Sequence, residues 1–321
     1  MSSPQPGATP ESSKLLLRRL TPIVREGNEQ RSSQNFSVLQ FNVLADSLCN
    51  TQAFPVAPPA CLEWEERKFL LLEELSKYGP DIICMEECDK FDEWFSPQLA
   101  ALGYSGHFTK KQGRGDDGCA MFYRHDKFEC VNCVGAPIGS HTQVFMIMQL
   151  KPKDGGKHIM VATTHLKATK STEGEQMRHE QIHFIMEALS EASSNCTEPH
   201  VKVLTGDLNA SPDSPKYEAL VYPAMLNFQK LGFVSAYSYP GNTAADEPPF
   251  TSLKIRKENH NLGTSDSQED DIKLAVFKYT IDFIMYSPQE MRVASLLSMP
   301  TEEEAGSNPP IASSAILHTT R

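Results

Sequence analysis

Residues 80–92 read PDIICMEECDKFD. Asp81–Met85 is a compact apolar run behind a Gly79-Pro80 stop, the length and character of a buried strand. Two carboxylates, Glu86 and Glu87, follow it directly. Three other segments repeat this arrangement. Phe36–Val43 alternates like a strand and carries Asn42 near its end. Ile159–Thr164 runs into His165, and Val201–Leu204 runs into Thr205-Gly206-Asp207-Leu208-Asn209. Further strands are expected over 119–123, 144–150, 279–286 and 292–297. Residues 63–78 predict a helix with Phe69, Leu72 and Leu75 on one face and acidic residues in its first turn. Residues 176–190 predict a second, with Ile182, Ile185, Met186 and Leu189 together. Many strands, few helices and no repeat predict an α/β or α+β sandwich rather than a helical bundle.

The chain has 321 residues, 40% hydrophobic and 22% charged, a globular composition. Its net charge is −11. Residues 1–35 hold five basic and three acidic side chains, so −13 falls on the remainder. A body of that sign is a poor track for a long phosphate backbone, which wants a Lys or Arg at each contact. It accepts a small or end-on anion if a metal neutralises the site. No run reaches the ~18 apolar residues that a membrane span needs. The eight cysteines follow no secretory leader and read as reduced thiols, including the lone Cys130-x-x-Cys133 pair. Cytoplasmic placement is expected, with mitochondrial placement as the alternative. For the latter, Leu15–Leu20 could open a targeting peptide, although Glu11 and Glu26 flank it and Pro22 interrupts it.

Three regions are expected: a disordered tail over 1–35, one folded domain over 36–300, and an atypical tail over 301–321. Within the domain, the acidic segment 257–273 reads as a solvated loop between core strands.

Asn, paired Glu, His and Asp-x-Asn at four strand ends suit a hard divalent cation and a phosphate ester. Mg²⁺ keeps several waters, so one or two carboxylates suffice. Alone, each residue has a plainer explanation: a satisfied structural histidine, turn chemistry, a solvated strand end. Together and in this order they resemble the endonuclease/exonuclease/phosphatase superfamily, in its deadenylase-like branch. The resemblance rests on FNVLADSL (41–48), WEERKFLLLEEL (64–75), PDIICMEECDKFD (80–92), DGCAMFY (117–123), THLKA (164–168), GDLNASP (206–212), PPFTSLKIR (248–256) and TIDFIMYS (280–287). It spans about residues 36–300.

That resemblance implies an α/β fold, a two-sheet β-sandwich flanked by helices, with the site at one edge of the sandwich. It implies Glu87 as the Mg²⁺ ligand, and Asn42 holding phosphate and metal. His165 would stabilise the phosphate oxyanion, Asp207 and Asn209 would orient the attacking water, and Asp282 would position a final histidine. Lys111, Lys167, Arg178 and Arg256 would grip the substrate's phosphate. The family has Gln where this chain has Glu86, which would add a negative charge beside the metal. The family also closes with Ser-Asp-His and an apolar strand. None of the ten histidines here follows an aspartate. The base and the last strand are therefore expected to be missing, as in a truncated or alternatively spliced product, with His318 the one nearby substitute.

The implied activity is removal of the 2′-phosphate of NADP(H) by a monomer. The alternative is 3′-exonucleolytic shortening of poly(A) at an RNA 3′ end, with mRNA-decay proteins as partners. A third alternative is a binding protein that has lost catalysis.

Overall fold

A computed structural model describes residues 18–23, 35–214, 216–228, 232–238, 247–257, 274–306 and 314–320, the last of these as backbone only. One sheet contains β1 (Leu20–Pro22), β2 (Ser37–Asn42), β3 (Ile82–Cys88), β4 (Tyr104–Lys110), β5 (Gly118–Arg124), β14 (Arg292–Leu297) and β15 (Ser314–Thr320). Their spatial order is β1-β14-β15-β2-β3-β5-β4. The second sheet contains β6 (Phe128–Pro137), β7 (Val144–Pro152), β8 (His158–His165), β9 (His200–Asp207), β10 (Val234–Ser235) and β13 (Asp282–Tyr286), ordered β10-β13-β9-β8-β7-β6. A separate hairpin pairs β11 (Ser252–Lys257) with β12 (Leu274–Tyr279).

The alternation along each strand sets the layers. Val38, Ile82, Cys84 and Met121 of the first sheet meet Met148, Val161, Val203 and Ile284 of the second in one core cluster. Leu39, Phe41, Ile83 and Met85 point the other way, against α1 (Trp64–Ser76) and α2 (Ser96–Ala101). The second sheet's outer face is covered by α3 (Thr172–Asn195) and α4 (Val221–Asn227), with Ile182, Ile185, Met186 and Leu189 buried as expected. Both faces of the central strands are therefore dry, which is why they read as continuous apolar runs.

β2–β3 and β8–β9 are the parallel pairs; the other pairings are antiparallel. The carboxyl ends of these four strands carry the polar residues singled out above. Gly206 allows the β8–β9 approach, because a Cβ there would lie 2.1 Å from the Thr164 carbonyl oxygen.

Several expectations are corrected. The closing strand is present: β15 lies between β14 and β2, pairing with both. The Gly, Ser and Pro of 306–313 hide it in the sequence, but SAILHTT is a strand-length segment with β-branched residues that supplies partners for two edges otherwise left open. Residues 302–306 form a short helix, α5 (Glu302–Gly306), so 301–321 is not a featureless tail. Leu20–Pro22, placed in the disordered tail, is an edge strand on β14. Residues 279–286 are not one strand: β12 ends at Tyr279 and β13 starts at Asp282 in another sheet. The acidic segment joins the β11–β12 hairpin rather than two core strands, and residues 258–273 lie outside the described residues. Phe69 is 60% exposed, edge-on to Trp94, while Leu75 alone of its expected face is fully buried. Among the described residues, no helix is long and apolar enough to cross a membrane.

Candidate active site

Asn42, Glu87, His165, Asp207 and Asn209 meet at the carboxyl ends of the two parallel pairs. The Asn42 Nδ2 donates to Glu87 Oε1 at 3.0 Å and to Asp207 Oδ2 at 3.0 Å, bridging the two sheets. Its Oδ1 accepts from the Leu44 amide at 3.0 Å. Asn209 Nδ2 lies 2.9 Å from His165 Nε2 and 3.1 Å from the Leu166 carbonyl oxygen, and its own amide donates to Asp207 Oδ1. With the Asn209 amide as donor, the single lone pair of His165 Nε2 accepts that hydrogen bond, and the same nitrogen lies 3.9 Å from a Glu87 oxygen and 3.7 Å from an Asp207 oxygen.

Three described non-glycine residues have φ near +50°: Leu44, Glu87 and Asn209. All three belong to this cluster. Such conformations cost roughly 1–3 kcal/mol each and persist where surrounding contacts over-determine them. At Glu87 the cause is visible. The β3–β5 register shifts between Met85 and Cys88, which breaks the alternation and turns Glu87 to the rim. Glu86 and Glu87 are separated by this bulge.

Glu86 does not join the cluster. It is fully buried between the sheets, with Oε2 accepting from Gln40 Nε2 at 2.7 Å and Oε1 from Thr163 Oγ1 at 2.9 Å. Burial pushes its carboxyl well above the usual range, which favours the uncharged form. The same Gln40 Nε2 reaches Asp282 Oδ1 at 3.2 Å. Asp282 Oδ2 accepts from Thr251 Oγ1 at 2.9 Å, and Thr251 Oγ1 accepts the Ile281 and Asp282 amides. Burial, then the neighbouring Asp207 charge, pushes Asp282 up as well.

The residues expected to grip substrate divide. Arg178 is corrected: it is 0% exposed, bound to Glu175 through Nε and Nη2 and to the Lys167 and Thr169 carbonyls through Nη1. It shapes the 167–170 loop from beneath and cannot touch a ligand. Lys167 starts that loop, its amide held by Gln181 Oε1. Lys111 sits at the β4–β5 hairpin tip, beside the Lys110–Gly118–Cys88 register that abuts Glu87, and pairs with Asp117 at 2.9 Å. Arg256 is exposed on β11 with its guanidinium 5.9 Å from the Phe54 ring.

Two cations were not singled out as ligands. Lys170 Nζ donates to the Asn209 carbonyl at 2.8 Å and lies 4.8 Å from the Tyr279 ring centre. The residue as a whole is exposed, but its ammonium is packed at that inner end, and desolvation lowers its pKa to about 8. Lys254 on β11 acts electrostatically on both Lys170 and Asp282. The signal in the sequence was Lys170 standing one residue past the loop position where the family has Arg.

Glu87, His165 and Asp207 place ligand atoms within 4.8 Å of one another. Two carboxylates and one imidazole are a donor set that Mg²⁺ or Mn²⁺ accepts. The residues present therefore fit a divalent cation.

The endonuclease/exonuclease/phosphatase family model matches residues 39–307. Nocturnin of Xenopus laevis is 31% identical over 299 residues, 89% of this chain and 70% of that one. The CCR4-Not complex 3′-5′-exoribonuclease subunit Ccr4 of Candida albicans is 26% identical over 324 residues, covering 86% of this chain and 39% of that one. The human nocturnin catalytic domain, solved with a bound sulfate anion, superposes with a TM-score of 0.70 at 26% identity, over 94% of this chain and 96% of that one.

Proposed function

The chain belongs to the endonuclease/exonuclease/phosphatase family, and from that premise we propose that it binds and hydrolyses the 2′-phosphate of NADP(H) in a divalent-cation-dependent reaction, at a rate limited by its final strand. The observation that carries the proposal is the cluster of Asn42, Glu87, Asp207, Asn209 and His165 with Lys170 and Lys254 at its side. It offers a compact pocket for one doubly charged phosphate group. The sulfate in the human relative is a tetrahedral dianion of the same kind. The chain's −11 charge opposes a long polyanionic track.

When bound at Glu87, Mg²⁺ supplies Lewis-acid polarisation of the phosphoryl group. The protein's own residues do the rest. Asp207, its Oδ1 fixed by the Asn209 amide, accepts a hydrogen bond from the attacking water and takes up its proton. Asn42 and Asn209 fix the carboxylate and imidazole so that neither must reorganise as charge develops. Lys170 places an ammonium against the leaving side.

What the family supplies at its Ser-Asp-His, this chain does not. β15 pairs Ser314 with Phe41 and Ala315 with Gln40, and Gln40 reaches Asp282. The β15 residue in register with Gln40, whose side chain reaches Asp282, is thus an alanine. His318 pairs with Ser37, five residues along β2 from Asn42, or about 17 Å at strand rise. It is at the wrong end of the strand to substitute. Asp282 keeps its Gln40 and Thr251 hydrogen bonds without that imidazole, and slow turnover is the expected result.

Phosphate release from NADPH in the presence and absence of Mg²⁺ tests the proposal against shortening of a labelled oligo(A). Slow, Mg²⁺-dependent release with no shortening supports it. Shortening without release supports the 3′-exoribonuclease reading, which the likeness to Ccr4 favours. Tight NADP⁺ binding with neither reaction leaves a binding protein. Arg256→Ala should weaken NADP⁺ by about tenfold and leave NAD⁺ nearly unchanged, since a charge-assisted phosphate contact is worth ~1.5–3 kcal/mol.

A further inference from the structure

α3 packs Ile182, Ile185 and Met186 onto the second sheet and turns a polar stripe outward. His179 and His183 stand on that stripe four residues apart, one above the other. Their ring centroids are 4.5 Å apart at an interplanar angle of 71°. His183 is also braced edge-on by Phe228, 5.6 Å away. Among the described residues, no hydrogen bond engages either ring. Both imidazoles line a groove of ≈ 940 Å³ between α3 and α4, whose rim carries Glu187, Glu191 and Glu218. Glu187 is one turn beyond His183 on the same helix face, and Glu218 approaches from the segment before α4. This groove lies on the outer face of the second sheet, away from Glu87, His165 and Asp207.

We propose that His179 and His183 form a two-histidine site for a borderline divalent transition metal, Zn²⁺ being the probe of choice, with water in its remaining positions. Two histidines at i and i+4 on a helix direct their nitrogens to one point, which is the spacing helical zinc sites use. A metal ligand must be neutral imidazole. Burial and then the neighbouring His183 lower the His179 pKa, which favours the neutral imidazole. The flanking carboxylates supply charge without themselves forming the site. Metal held here would staple one turn of α3 to the next, at a site separate from the catalytic cation and independent of which phosphate ester the chain hydrolyses.

The test uses the intact chain in excess Mg²⁺. Zn²⁺ is titrated calorimetrically into the parent and into His179→Ala, His183→Ala and His165→Ala. The expected result is a Zn²⁺ site weakened at least about tenfold by either α3 substitution and retained in His165→Ala, with a Zn²⁺-dependent rise in melting temperature that both α3 variants lose. Unchanged Zn²⁺ affinity in either α3 variant, or loss of all Zn²⁺ binding in His165→Ala, would overturn the proposal. A readout free of substitution is line broadening of histidine ring resonances by substoichiometric Ni²⁺ in the parent. His179 and His183 should broaden before the other histidines; the reverse order would sink the site.

Discussion

Glu86 and Glu87 are neighbours on one strand and live in different solvents. Glu86 faces the dry seam between the sheets, satisfied by Gln40 and Thr163 and pushed by burial toward its uncharged form. Glu87 is lifted out of the pleat by a left-handed residue conformation and meets Asn42, His165 and Asp207 at the rim. Identical side chains one position apart thus become a hydrogen-bonded spacer and a member of a cluster fit for a cation. Environment sets the difference. A buried lone carboxylate sheds its charge because desolvation costs more than protonation.

Introducing an imidazole at the meeting point of seam and rim should give the largest effect. Ser314→Asp with Ala315→His should raise Mg²⁺-dependent phosphate release by ~10²-fold or more, the usual scale for one proton-transfer group. Steady-state rates against the parent check it, and no gain would mean the rim already has its base.

Next comes the seam-type charge elsewhere. Arg178→Ala strands the buried carboxylate of Glu175 and should destabilise the fold by ~3–5 kcal/mol, read as a denaturation midpoint. A change in NADP⁺ affinity with unchanged stability would return Arg178 to the binding surface.

Glu87→Gln should weaken Mg²⁺ by about tenfold or more while Glu86→Gln leaves it within twofold, since only the first loses a charge next to the ion. Equal losses in calorimetry would erase the contrast.

Lys170 provides a pH-resolved version. Its ammonium grips phosphate only below its folded pKa of about 8, so affinity should fall as pH rises through 8. The sign for stability is opposite. Folding lowers this pKa from 10.5, so between pH 8 and 10.5 the unfolded chain binds more protons and stability rises with pH. Lys170→Arg should remove the break in affinity; a break that survives belongs to another group.

The smallest effect belongs to the seam itself: Glu86→Gln, neutral for neutral, should shift stability by less than about 1 kcal/mol.

The strand ends were legible because a dry two-sided strand must be apolar and its last polar residue then stands out. Asn42, Glu87, His165, Asp207 and Asn209 come together for that reason. Arg178 misled because a charge on a polar helix face reads as available, whereas its partner Glu175 and two loop carbonyls enclose it. β4 and β6 escaped notice because they are edge strands rich in polar residues and glycine. Gly135 is there because a Cβ would strike the Thr109 side chain, a constraint with no local periodicity. The upward push on the Glu86 carboxyl was beyond reach for a similar reason: it comes from burial between two sheets, one wall of which is Thr163, 77 positions away.

The placement of β15 carries a consequence for the order of events during synthesis. Residues 314–320 fill the slot between β14 and β2, whose other strand neighbours are drawn from earlier chain. While translation proceeds, β2 can zip onto β3 and β3 onto β5, but the flank of β2 waits with its amides open. Until that segment emerges from the ribosome, the nascent protein carries an adhesive margin that invites a chaperone or a stray strand. Closure of this sheet therefore waits for the codons of residues 314–320, and a stall or nonsense change before them would leave the sandwich in its most aggregation-prone form.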